Sequence, residues 1–102
     1  MLKSKVFQLD IITPNGTTFS KSVIHVNAPG RYGRFGVLVN HIPSIILLTS
    51  GNVLIQAIGE NKIYNISGGV AYIQEGTMKI LTLSAQDSTA LRTESKSVNK
   101  IQ

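Results

Sequence analysis

Three stretches of this chain carry residue types that could do chemistry. The first is the glycine-spaced loop Gly30, Gly33, Gly36, of a kind that can wrap a phosphate with backbone amides. A phosphate cradle opens a helix and normally ends in Gly-Lys-Ser or Gly-Lys-Thr. Here the loop runs into Phe35–Val39, which reads as a strand, so the spacing predicts a glycine-shaped hairpin. The second is His41, whose imidazole could serve as a general base. Ser44 is the hydroxyl close to it in sequence, and no acid or nucleophile completes a constellation. A histidine that orders the turn before Pro43 is the plainer reading. The third is Ser67-Gly68-Gly69, which resembles a nucleophile ahead of an oxyanion turn. It lacks the Gly-x-Ser-x-Gly context, and paired glycines in a strand better fit a bulge or a close approach of two sheets. The histidines are His25 and His41, at a spacing that suggests no zinc site. With no cysteine, disulfides, thiolate zinc sites and cysteine nucleophiles are excluded together. No catalytic, metal-binding or cofactor-binding residue is expected.

The net charge is +5, from ten Lys and Arg against five Asp and Glu. A nucleic-acid face needs such charge clustered. Within the part expected to be ordered only Arg31 and Arg34 lie close together. The apolar run Ile45-Ile46-Leu47-Leu48 is far short of the roughly 20 residues that cross a bilayer. Met1–Lys5 is charged and the apolar residues after it alternate with Gln8 and Asp10, so no signal peptide is expected and the chain should be soluble.

The elements that must position these residues are strands. Phe7, Leu9 and Ile11 alternate with Gln8 and Asp10, Ile24, Val26 and Ala28 with His25 and Asn27, Val53, Ile55 and Ala57 with Leu54, Gln56 and Ile58, and Tyr64 and Ile66 with Asn65 and Ser67. Period-two alternation rich in β-branched residues marks strands with one buried face. Turn residues separate them at Pro14-Asn15-Gly16, Pro29-Gly30, Ser50-Gly51, Gly59-Glu60-Asn61, Gly68-Gly69 and Glu75-Gly76-Thr77. The pattern predicts an all-β chain, a two-sheet antiparallel β-sandwich of about nine or ten short strands, as expected when turns recur every 8–12 residues. At 102 residues a single domain is expected, spanning 1–83. Residues 84–102 read as a polar tail, in which Asp87 and Ser88 can cap a short helix through Ala90 and Leu91. Within the Ile42–Leu48 stretch, neighbouring residues must point to opposite faces. Of Ile45 and Ile46, one is therefore expected in the core and the other at the surface.

Three segments together resemble one family: Leu9-Asp10-Ile11-Ile12-Thr13-Pro14-Asn15-Gly16; Ala28–Leu38 running into Asn40-His41-Ile42-Pro43; and Ile66-Ser67-Gly68-Gly69-Val70. In this order and spacing they resemble the epsilon subunit of rotary ATP synthases, called delta in mitochondria. The resemblance covers about residues 5–83 and implies a β-sandwich fold. It also implies a non-catalytic place in the central rotor stalk, between the gamma subunit and the membrane ring of c subunits, so that proton or sodium flow drives ATP synthesis. It puts Arg31, Tyr32, Gly33 and Arg34 at the c-ring and Thr13, His41, Ile42, Pro43, Ile45 and Ile46 at gamma. It implies a peripheral place at the cytoplasmic face of a bacterial plasma membrane, or at an organelle inner or thylakoid membrane, with membrane contact only through the complex.

Two departures stand out. The family's hairpin before Gly-Val is usually acidic, whereas here it reads Arg31-Tyr32-Gly33-Arg34. The family usually continues into a C-terminal helical hairpin, which residues 84–102 are too polar to build. The chain alone is expected to hydrolyse no ATP and to bind none tightly; micromolar binding by calorimetry would contradict this. The alternative is a stand-alone basic β-domain for single-stranded nucleic acid, which would stack bases on aromatic platforms beside a basic groove. A salt-dependent oligonucleotide titration separates the two.

Overall fold

A computed structural model describes residues 5–90. It contains seven strands: β1 (Phe7–Thr13), β2 (Gly16–Gly30), β3 (Gly33–Val37), β4 (Ser44–Ala57), β5 (Glu60–Gln74), β6 (Thr77–Leu81) and β7 (Ala85–Asp87). The chain is all-β as expected, but the strands are fewer and longer than the nine or ten the turn residues suggested. Ser50-Gly51 and Gly68-Gly69 lie inside β4 and β5, where Gly51 pairs with Ile66 and Leu48 with Gly69.

Those dipeptides do a different job. Along β5 the buried positions are Tyr64, Ile66 and Gly68, then Ala71 and Ile73, so the inward face slips by one residue at Gly68-Gly69. Along β4 they are Leu48, then Val53, Ile55 and Ala57, with the slip across Ser50-Gly51. β2 slips between Val23 and Val26, where its pairing with β4 is also irregular. A one-residue slip moves every following side chain to the other face. Each long strand thus leaves one layer of the sandwich and enters the other while keeping its apolar residues inward. Read by periodicity alone, each counts as two strands.

The order is β1-β6-β5-β4-β2-β3, and β1 also pairs with β2, so the sandwich closes on itself like a barrel. β1 and β6 pair in parallel, the exception to an antiparallel sheet. No hairpin joins these two strands, so no turn forces them antiparallel. β7 extends the sheet through residue 87 by pairing Tyr64 with Asp87 and Ile66 with Ala85. The Asp87 carboxylate accepts the Thr89 amide at 2.9 Å, in the manner of a helix cap, and residues 89–90 are helical. The remainder of the expected tail, with Leu91, lies outside the described residues.

The core holds Leu9, Ile11, Val23, Val26, Ile55, Ile66, Met78 and Ile80, all essentially without solvent contact. Phe19 meets Tyr64 edge to face at 5.5 Å between ring centroids. Burial raises the Tyr64 hydroxyl above its ordinary pKa.

Candidate partner-binding face

Cross-strand register assembles a surface that no single segment contains. Directly paired residues share a face. On the outside of the barrel Leu47 pairs with Val70, Val70 with Leu81 and Leu81 with Ile12, one row across four strands. The next row is Ile45, Tyr72, Lys79, Asp10 and Ser20. The first row is apolar throughout, while the second is apolar at β4 and β5 and polar from Lys79 to Ser20. Ile45 is 70% exposed and Leu47 50%. Ile42 at the entry to β4 and Leu83 beyond β6 are 75% and 81% exposed. Contiguous apolar surface of this kind marks an interaction site.

On the polar side the Asp10 carboxylate accepts from Ser20 Oγ at 2.7 Å and from Gln8 Nε2 at 3.0 Å. The hydrogen bond from Gln8, then that from Ser20, holds its pKa below the ordinary value of 3.8, with Lys79 adding attraction and burial opposing it. A folded-state pKa below the unfolded one gives a stabilisation complete above the unfolded value and lost as pH falls through the folded one. Unfolding stability should therefore drop below about pH 4, and Asp10→Asn should flatten that drop at a neutral-pH cost of about 0.5–1.5 kcal/mol. Urea midpoints measured from pH 6 to 2.5 check this; an unchanged acid slope in the variant would rule Asp10 out as a contributor.

The residues expected at gamma fall in three places. Ile45 stands on the outer face, while Ile46 packs against the core, so their alternation is as expected. His41, Ile42 and Pro43 form the connection into β4. The His41 ring donates through Nδ1 to the Ile42 carbonyl at 2.7 Å, and Ser44 Oγ donates to the same oxygen at 2.8 Å. His41 thus orders the turn that holds Ile42 outward, and neither group is poised for acid–base chemistry. Thr13 sits at the β1–β2 turn, where its hydroxyl accepts the Asn15 amide at 3.2 Å. It lines a shallow apolar groove with Ile12, Pro14, Leu81 and Leu83 at the far edge of the rows.

Arg31, Tyr32, Gly33 and Arg34 form the β2–β3 hairpin. Arg31 and Tyr32 make the two-residue turn and Gly33 takes the positive φ, +137°, that other residues avoid. The Arg31 amide donates to the Leu47 carbonyl at 2.9 Å, which docks the hairpin beside the apolar row. The two expected interface groups therefore meet at Leu47. Leu47 belongs to the apolar Ile42–Leu48 stretch legible in the sequence, whereas Val70, Tyr72, Leu81 and Leu83 needed the register to join it.

The remaining chemical candidates resolve into structure. Ser67 Oγ accepts the Ser84 amide at 3.2 Å and has no base beside it. His25 and His41 line one groove with Gly36, Leu38 and Asn40, and among the described residues no group of three His, Asp or Glu could hold a metal. Phe7, Phe19 and Tyr64 are buried, so they offer no stacking platform for bases.

Residues 6–88 match the family model described as ATP synthase, Delta/Epsilon chain, beta-sandwich domain. An ATP synthase epsilon chain of Nitratidesulfovibrio vulgaris is 37% identical over 82 residues, covering 80% of this chain and 61% of that protein's length. The epsilon chain of Rickettsia typhi is 40% identical over 93 residues, covering 86% of this chain and 83% of its own. Among solved structures, a chain in the Euglena gracilis mitochondrial ATP synthase, from a cryo-EM structure of its OSCP/F1/c-ring, superposes with a TM-score of 0.78 at 20% identity. That likeness covers 98% of this chain and 65% of the other, and it is a likeness of fold.

Proposed function

The chain belongs to the delta/epsilon family of ATP synthase chains, and from that membership we propose that it is a non-catalytic subunit of the central rotor stalk. Its apolar outer face, Ile42, Ile45, Leu47, Tyr72 and Leu81, packs against the gamma subunit, the asymmetric shaft. Its β2–β3 hairpin, Arg31–Arg34, meets the membrane ring of c subunits. Ion flow, of protons or sodium, turns the ring, and this subunit carries torque to gamma through contact area and stiffness. ATP forms elsewhere in the complex. The subunit holds to the membrane through its partners, at the cytoplasmic face in a bacterium or at an inner or thylakoid membrane in an organelle.

The observation that carries this reading is the apolar row across four strands, docked to a rigid hairpin at Leu47. One face with two adjoining contact zones suits a protein held between two partners. Nucleic-acid binding has less support, because Arg34 is consumed by bonds within the chain and half the aromatic residues are core. Mild-detergent purification of a tagged chain from its own membranes tests the reading. The gamma subunit and c-ring should accompany it; recovery without either would refute the assignment.

A further inference from the structure

The two arginines of the β2–β3 hairpin are not equivalent. Arg34 is drawn back against the barrel. Its Nε donates to Asn27 Oδ1 at 2.6 Å, and its Nη2 donates to the Asn52 carbonyl at 2.6 Å and the Asn27 carbonyl at 3.2 Å. These bonds tie β3 to β2 and to β4, bracing the hairpin from both sides. Arg31, in the turn itself, is exposed, and its guanidinium has no hydrogen-bond or ion-pair partner among the described residues. Tyr32 is 93% exposed. The ion pairs of the described residues, Lys21–Glu60 and Lys62–Asp87, include neither hairpin arginine.

We propose that the hairpin recognises a carboxylate-bearing protein loop through Arg31 and Tyr32, with Arg34 as the positioning residue that holds the tip in place. This rests on the ring-facing reading of the hairpin given above. A guanidinium offers a planar fork of donors that fits a carboxylate in two-point contact, and Tyr32 adds a rigid apolar face with few rotors. A tip already braced loses little freedom on binding. Nucleic acid fits less well. A strand of phosphates needs a basic track, and the hairpin presents one uncommitted cation.

The test uses the whole rotor, with the chain reassembled onto its own gamma subunit and c-ring, and retention read against NaCl. Exposed single pairs are weak, so Arg31→Ala should weaken ring binding about twofold to fivefold at low salt. Arg31→Glu should weaken it at least threefold further, because like charges across an interface repel. Both differences should vanish near 1 M salt, where screening acts within about 3 Å. Arg34→Ala should weaken binding equally at low and high salt and speed amide exchange at Tyr32 and Gly33. Arg34→Lys should not rescue it, since an ammonium keeps the charge without the fork. A wild-type chain that fails to join the ring overturns the ring-facing reading, and this proposal with it. A retained wild type with Arg31→Ala and Arg31→Glu alike at low salt overturns the carboxylate contact alone. Rescue by Arg34→Lys would make Arg34 a contact charge and overturn its positioning role. Oligonucleotide binding that Arg31→Glu abolishes would replace the protein partner with a nucleic acid.

Discussion

Replacing Gly69 with alanine should cost at least about 3 kcal/mol, a large part of the 5–15 kcal/mol that holds a domain of this kind together. Two effects combine there. Gly69 has φ +132°, where a side chain is strained by about 1–3 kcal/mol. A Cβ at this position would also run into the Leu81 carbonyl and press on Thr82. That collision is with backbone, so no rotamer change relieves it. β6 would have to move away, straining the Val70–Leu81 pairing and the 3.0 Å bond from the Thr82 amide to the Ile12 carbonyl. That bond lies on the β6–β1 side of the closure. Gly59→Ala supplies the control, because φ there is +82° with nothing near the new carbon. It should lose only the strain, about 1 kcal/mol. Chemical denaturation of both variants compares the two. Equal losses would mean the close approach at Leu81 contributes nothing.

Ile45→Asp should leave the fold standing and disable assembly. The side chain is already 70% exposed, so its replacement should cost no more than about 1 kcal/mol of stability. In the complex the same carboxylate would be buried unpaired among apolar side chains, at a cost of about 3 kcal/mol or more. That corresponds to at least a hundredfold weaker binding of gamma. Ile46→Asp should behave in the opposite order, because Ile46 packs against the core and a charge there attacks folding first. Thermal unfolding of the free chains and titration with gamma separate the two. If both substitutions unfold the domain alike, or if Ile45→Asp binds gamma normally, this face is not the gamma contact.

Much of this protein was legible in its sequence because β-structure leaves a period of two. The alternation at Phe7–Ile11, Val53–Ala57 and Tyr64–Ile66 named core residues that the structure buries. Opposed facing of Ile45 and Ile46 followed from the pleat alone. The absence of cysteine and the missing phosphate-loop ending likewise rested on residue types, which need no coordinates. The family, too, was readable from three short segments in order.

Strand number, the apolar outer face and the unequal arginines belonged to the tertiary structure. Ser50-Gly51 and Gly68-Gly69 look like turns, because a turn and an inward-face slip both call for glycine. Only long-range pairing shows that β4 and β5 continue through them. The apolar row joins Ile12, Leu47, Val70 and Leu81, residues far apart in the chain that register alone makes neighbours. Arg31 and Arg34 looked like two equal charges facing one partner. Asn27 and Asn52, brought beside the hairpin by β2 and β4, bind the second of them and leave the first without a partner among the described residues. Local sequence sets which way a side chain can point, whereas what it meets depends on strands that arrive from elsewhere in the chain.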